Sequence, residues 1–157
     1  MIDVEALVAW LVRNQMIVAT AESCTGGMVA AAITDIAGSS AVFDRGFVTY
    51  SNEAKSQMLG VPAALIAKHG AVSEEVARAM AEGALAHSNA TLAVAITGIA
   101  GPTGGSAEKP VGLGHFACAA KNSATQHERK VFPGNRAAIR QAACDFALQM
   151  WGNALSG

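Results

Sequence analysis

The sequence predicts a three-layer α/β/α single domain on a mixed five-stranded sheet. Apolar strand-like runs alternate with segments of helical period along the chain. The composition is 52% hydrophobic but only 5% aromatic. Much of that apolar content is Ala, which suits helices packed closely on a sheet rather than a large aromatic core. Polar and Gly-rich clusters follow several of the apolar runs, where strands give way to helices or loops.

Val4, Leu7, Val8 and Leu11 recur at helical spacing behind Asp3, so residues 3–14 read as a helix with an acidic N-cap. Met16 to Ala21 is the first strand, and Gly26 opens a helix ending near Gly38. Val42 to Tyr50, rich in Val, Phe, Thr and Tyr, is the second strand. Ser51 caps a short helix stopped by Gly60, and Pro62 starts another that ends at His69-Gly70. Ser73 with Glu74 and Glu75 opens a third, its acids at the positive end. Strands follow at 92–97, 111–119 and 125–132, the last polar enough for an edge, and residues after Asn135 form the final helix. The short turn after Ala120 makes the last strand pair antiparallel. No linker, repeat or low-complexity tract divides residues 1–157, which read as one domain.

A net charge of -1 with scattered Lys and Arg provides no basic stripe, so nucleic acid is not an expected partner. No apolar run is long enough to cross a bilayer, and Asp3 and Glu5 stand where a signal peptide carries positive charge. Cys24, Cys118 and Cys144 form no CxxC pair, which argues against a disulfide framework or a metal site and for a cytoplasmic setting.

Three clusters occupy strand ends: Ala21-Glu22-Ser23-Cys24-Thr25-Gly26-Gly27, Tyr50-Ser51-Asn52-Glu53-Ala54-Lys55 and Thr97-Gly98-Ile99-Ala100-Gly101-Pro102. Ligands of open α/β sheets bind at the carboxyl ends of strands, so the clusters predict one shared pocket. The Ser23–Gly27 turn either binds an anion through its N–H groups or merely caps the next helix. Gly38-Ser39-Ser40 presents a hydroxyl, and Tyr50 at a strand end and Lys55 about one turn into the next helix are candidates to remove its proton. The alternatives are a solvated Tyr50 and a Lys55 paired with Glu53. Cys24 competes as nucleophile, but no histidine in the sequence is placed to assist it. The glycines from Gly98 to Gly105 form either an anion nest, aided by Thr97, or a flexible connection. Arg136 at the start of the last helix opposes the dipole, which a bound anion would explain.

Seven stretches in order, TAESCTGG, DIAGSS, RGFVTYSNEAK, HGAVSEEVA, TGIAGPTGG, KPVG and FPGNR, together resemble the nicotinamide mononucleotide deamidase family, also called the CinA C-terminal domain family. The resemblance runs from about residue 5 to 150. It implies hydrolysis of the carboxamide of nicotinamide mononucleotide, in pyridine nucleotide recycling, with no cofactor and no metal. By that resemblance Ser40 is the nucleophile with Tyr50 and Lys55 as activating partners. Ser23, Thr97 and Arg136 match further active-site positions, and Thr25, Gly26 and Gly98 join them as substrate-binding candidates. The expected partner is a small-molecule nucleotide substrate, neither nucleic acid nor membrane, and a homo-oligomer is expected. Larger members carry an added N-terminal domain, so this chain resembles the stand-alone form. The competing readings are a nucleotide-binding regulatory module with little turnover and a Cys24-dependent amidase.

Overall fold

The computed structural model describes the backbone of residues 2–156 and the side chains of residues 2–153. Five strands, β1 (Val18–Glu22), β2 (Phe43–Val48), β3 (Leu92–Gly98), β4 (Leu113–Ala120) and β5 (Gln126–Val131), form one sheet in the order β2-β1-β3-β4-β5. β1 is parallel to both β2 and β3, whereas β4 runs antiparallel to β3 and to β5. The sheet is mixed and has five strands, as expected.

Six α-helices cover its two faces. α1 (Val4–Arg13), α2 (Met28–Thr34) and α6 (Arg136–Ser156) pack on one face, over Val18, Val94, Ile96 and Phe116. α3 (Asn52–Leu59), α4 (Ala63–His69) and α5 (Glu74–Ala86) cover the other, over Ala19, Ala21, Ala93, Ala95, Ala117 and Ala119. Strand periodicity explains the division, since alternate residues of β1, β3 and β4 face opposite layers.

The caps read from sequence are present. Asp3, Ser51 and Ser73 accept hydrogen bonds from the amides of Ala6, Ala54 and Val76 at the starts of α1, α3 and α5. The helix expected from Gly26 to Gly38 is shorter, because Gly26 and Gly27 both have positive φ and the helix opens only at Met28. A single 3-10 turn, Ser39–Ala41, then leads into β2.

Topology fixes where a ligand can bind. From β1 the chain crosses through α2 to β2 on one side, then through α3, α4 and α5 to β3 on the other. The carboxyl ends of β1 and β3 therefore flank a topological switch point, the crevice where open α/β sheets hold ligands.

The face under α5 is built of small residues, and α3 joins it at close range. A Cβ placed on Gly83 of α5 would stand 2.1 Å from the Leu59 carbonyl oxygen at the end of α3. Gly83→Ala must therefore push the helices apart, and a loss of about 1–3 kcal/mol is expected in denaturant unfolding. An unchanged midpoint would show that α3 is not held in this position.

At the β4–β5 side, His115 Nδ1 lies 2.8 Å from His127 Nε2. Burial, then the charges of His127, Arg129 and Lys109, hold the His115 imidazole down to about 4, against an opposing pull from Glu74. The unfolded chain protonates this group near pH 6.5 and the folded chain does not. Stability should thus fall on acidification from about pH 6.5 towards pH 4. Thermal melts across that range should show the decline, and His115→Asn should flatten it.

Candidate active site

Lys55 is the central group. It lies in the first turns of α3, is 1% exposed, and its ammonium nitrogen reaches back to the strand ends. Nζ donates to Thr49 O at 2.9 Å, to Ser23 Oγ at 3.1 Å and to Tyr50 O at 3.2 Å. No carboxylate among the described residues forms an ion pair with it. Burial pushes its pKa below the ordinary lysine range, with only the nearby Cys24 pulling the other way. Neither Arg45 nor Arg136 causes this shift. Arg45 instead bonds Asp44 and the His87 carbonyl.

Ser23 continues β1 by one residue, its amide donating to Ile96 O of β3 at 3.0 Å. Strand alternation sends its side chain to the α3–α5 side, where Lys55 meets it. The hydroxyl is 8% exposed, so it borders the crevice without being sealed. Ser23 caps nothing: the N-cap of α2 is Gly27, which makes no side-chain hydrogen bond.

The first turn of α2 is satisfied by Glu22, a residue the sequence reading left unused. Its buried carboxylate accepts from Thr25 Oγ1 at 2.6 Å, Val29 N at 2.9 Å and Ala30 N at 3.1 Å. Arg140 was also missed. Its Nε donates to Cys24 O at 2.9 Å and its Nη2 to Thr25 O at 3.3 Å. The signal for Arg140 lay in its spacing from Arg136, one turn earlier on the same helix face. The signal for Glu22 was an acid in an apolar strand directly before a helix start.

Ser40 lies away from Lys55 within the chain. It sits in the turn before β2, whereas Thr49, Tyr50 and Lys55 follow β2. β2 has six residues at about 3.3 Å each, so roughly 20 Å of strand separates the two ends. Val42 bonds Val18 at the amino end of β1, while Thr49 bonds Glu22 at its carboxyl end. Within one chain Ser40 therefore cannot meet Lys55. The hydroxyl beside the lysine is that of Ser23.

Tyr50 contributes its carbonyl, not its phenol, to Lys55. The side chain is 64% exposed, with its hydroxyl accepting from Arg136 Nη2 at 3.4 Å. Arg136 also donates through Nη1 to Gly101 O at 2.8 Å, bridging the β2 and β3 ends of the crevice. Thr97 Oγ1 donates to Ala71 O at 2.8 Å and holds the segment before α5 against β3. Thr25 is fully buried on Glu22, and Gly26 adopts a φ of +57° beside Arg140. A Cβ on Gly98 would meet Leu113 O at 2.8 Å and Cys24 Sγ at 3.1 Å, so packing accounts for that glycine.

Cys24 faces the core rather than the crevice. Burial, partly offset by its surroundings, pushes its thiol up to about 11, so it is not a thiolate near neutral pH. The remaining cysteines are buried and unpaired.

Among the described residues no group of three or more His, Cys, Asp and Glu side chains is arranged to hold a metal ion. No described helix is long and apolar enough to cross a membrane.

Residues 3–155 match the CinA C-terminal domain. The chain is 59% identical to the nicotinamide-nucleotide amidohydrolase PncC of Escherichia coli (strain K12), over 85% of this chain and 82% of that protein. It is 55% identical to the PncC of Enterobacter agglomerans, over 84% of this chain and 80% of that protein. The crystal structure of the competence/damage inducible protein CihA from Agrobacterium tumefaciens superposes with a TM-score of 0.92 at 50% identity, covering 100% of this chain and 98% of that one. With the domain matched almost end to end, and the fold shared with a solved structure at 50% identity, the chain belongs to the CinA C-terminal domain family.

Proposed function

We propose that this chain hydrolyses the carboxamide of nicotinamide mononucleotide to nicotinate mononucleotide and ammonia, with Ser23 as nucleophile and Lys55 as its base. The substrate is that named for relatives 59% and 55% identical. The observation that carries the mechanism is the 3.1 Å contact between Lys55 Nζ and Ser23 Oγ in a buried setting without a carboxylate.

The partners of Lys55 suit both halves of a proton transfer. A charged ammonium has three N–H donors for Thr49 O, Tyr50 O and Ser23 Oγ. A neutral amine keeps two donors for the carbonyls and turns its lone pair to the Ser23 hydroxyl. In the first step Ser23 gives its proton to Lys55 and its Oγ bonds the carboxamide carbon. The tetrahedral oxyanion collapses, the C–N bond breaks, and Lys55 returns the proton to the departing ammonia. Water then loses a proton to Lys55 and attacks the acyl carbon. Ser23 leaves and recovers its proton, and nicotinate remains. No step needs a redox partner.

Arg136 supplies the positive charge for the phosphate at the crevice mouth, where it already joins the Tyr50 hydroxyl to Gly101. Binding energy from that remote group orients the amide on Ser23. The regulatory-module reading has less support, because pure binding needs no lysine with a lowered pKa behind a serine.

Ammonia release from nicotinamide mononucleotide tests the assignment. Ser23→Ala should lose more than about 10³-fold in kcat, as removal of a nucleophile does. Ser40→Ala and Cys24→Ser should retain most of the rate. Full activity in Ser23→Ala would refute the mechanism, and loss in Ser40→Ala alone would return the role to the other end of the sheet.

Lys55 sets the pH dependence. The base must be neutral, and its neutral fraction grows as pH rises through its pKa. kcat/KM should therefore climb along a one-proton limb centred below the ordinary lysine value of about 10.4. Lys55→Arg should be nearly inactive at every pH, since a guanidinium stays charged. A pH profile unchanged by that substitution would remove Lys55 from proton transfer.

A further inference from the structure

The geometry points to the ring of Tyr50 as the surface that selects a cationic pyridinium ring over a neutral one in the crevice. This inference rests on the substrate reading above. Tyr50 is the only tyrosine of the chain, and it is 64% exposed. Its two ends are anchored at the two ends of the site. The backbone carbonyl accepts from Lys55 Nζ at 3.2 Å, and the same nitrogen lies 3.1 Å from Ser23 Oγ. The phenol oxygen accepts from Arg136 Nη2 at 3.4 Å. One tyrosine side chain therefore runs from the amine to the guanidinium.

Nicotinamide mononucleotide is built in the same order. Its carboxamide goes to Ser23 and its phosphate to Arg136, and the pyridine ring and ribose lie between them. A ring whose carboxamide sits on Ser23 thus has the Tyr50 side chain alongside it. Both faces of the phenol are open to such a contact. No other ring among the described residues stacks on Tyr50, and the cation–ring contact they make is that of Lys130 with Phe146. Arg136 meets the hydroxyl rather than the ring face.

Charge gives this contact its selectivity. The N-glycosidic bond leaves the pyridine ring of the substrate a cation. Lys55 and Arg136, which flank the place it takes, have no carboxylate partner among the described ion pairs, and each repels a cation when charged. The face of a phenol carries the negative end of the ring quadrupole and attracts one. Tyr50 thereby offsets the repulsion of its two neighbours. A neutral ring of the same shape gains stacking alone.

Calorimetry with nicotinate mononucleotide and with its dihydro form tests the assignment. The two share carboxylate, ribose and phosphate, neither has an amide to hydrolyse, and only the first has a cationic ring. Tyr50→Leu should weaken binding of the cationic nucleotide about 5- to 30-fold and of the dihydro form less than about threefold. Tyr50→Phe keeps the ring and should stay within about threefold of the parent for both. Tyr50→Trp should widen the preference for the cationic ring, since indole is the stronger partner. Equal losses for the two nucleotides in Tyr50→Leu, or no loss for either, would overturn the proposal. Should Tyr50→Leu fail to fold, an unchanged preference in Tyr50→Trp overturns it instead. Ammonia release from nicotinamide mononucleotide is measured beside the titrations. A parent chain with the expected Tyr50 dependence but no ammonia release loses the hydrolysis and keeps the ring contact. A parent chain that releases ammonia, with Tyr50→Leu binding both nucleotides like the parent, keeps the hydrolysis and loses the contact. A parent chain that binds neither nucleotide overturns the contact, and without ammonia release the hydrolysis falls with it.

Discussion

Everything at the crevice is organised around one buried amine. A lysine 1% exposed, with no carboxylate paired to it among the described residues, is held by two carbonyls and a serine hydroxyl. Burying a charge in this way is unfavourable, and the pKa of Lys55 falls in response. The carbonyls of Thr49 and Tyr50 accept from the amine in either protonation state and hold it in place. They come from the residues between β2 and the Ser51 cap, so the strand end and the helix start jointly build the amine's socket. The Ser51 bond to the Ala54 amide starts α3 at the register that turns Lys55 inward.

Opposite the lysine, the turn after β1 is fixed from the other face of the sheet by opposite charges. Glu22 takes the amides of Val29 and Ala30 together with the Thr25 hydroxyl, while Arg140 takes the carbonyls of Cys24 and Thr25. Amides and carbonyls around this buried turn thereby find charged side-chain partners. The two charged side chains do not pair with each other among the described ion pairs; each instead holds backbone of the opposite polarity. Such a turn resists rotation, as a nucleophile and its neighbouring amides require.

The layers, the five strands and the caps were legible in the sequence because period and capping chemistry act locally. Asp3, Ser51 and Ser73 stand where each helix starts, and the apolar runs mark the strands. The meeting of strand-end clusters was legible too, and the contact of Ser23 with Lys55 realises it. The identity of the serine that meets Lys55 was not. Ser40 and Lys55 flank β2 in sequence, and a strand places its two flanks at opposite ends of the sheet. Ser23 and Lys55 are farther apart in sequence, but both follow the carboxyl ends of parallel neighbours. Strand direction decided the matter, and sequence proximity pointed the wrong way. The role of Arg140 escaped because it depends on packing between elements more than a hundred residues apart, whereas Glu22 acts locally, on Thr25, Val29 and Ala30.

The composition has a mechanical consequence at this point. On the face that carries Ser23, the inward residues of β1, β3 and β4 are largely alanines, and α5 opposes them with Ala77, Ala81 and Ala84. Small side chains on both surfaces let the helix lie close to the sheet. α3 then approaches α5 so nearly that Gly83 has no room for a Cβ beside Leu59 O. Lys55 is carried on that same short helix, four residues before Leu59. Its reach to Ser23 thus depends on the spacing of the helix layer. A larger core residue under α5 would lift α3 and draw the amine away from the hydroxyl. The thin alanine layer holds the fold together and also sets the hydrogen-bond length on which proton transfer depends.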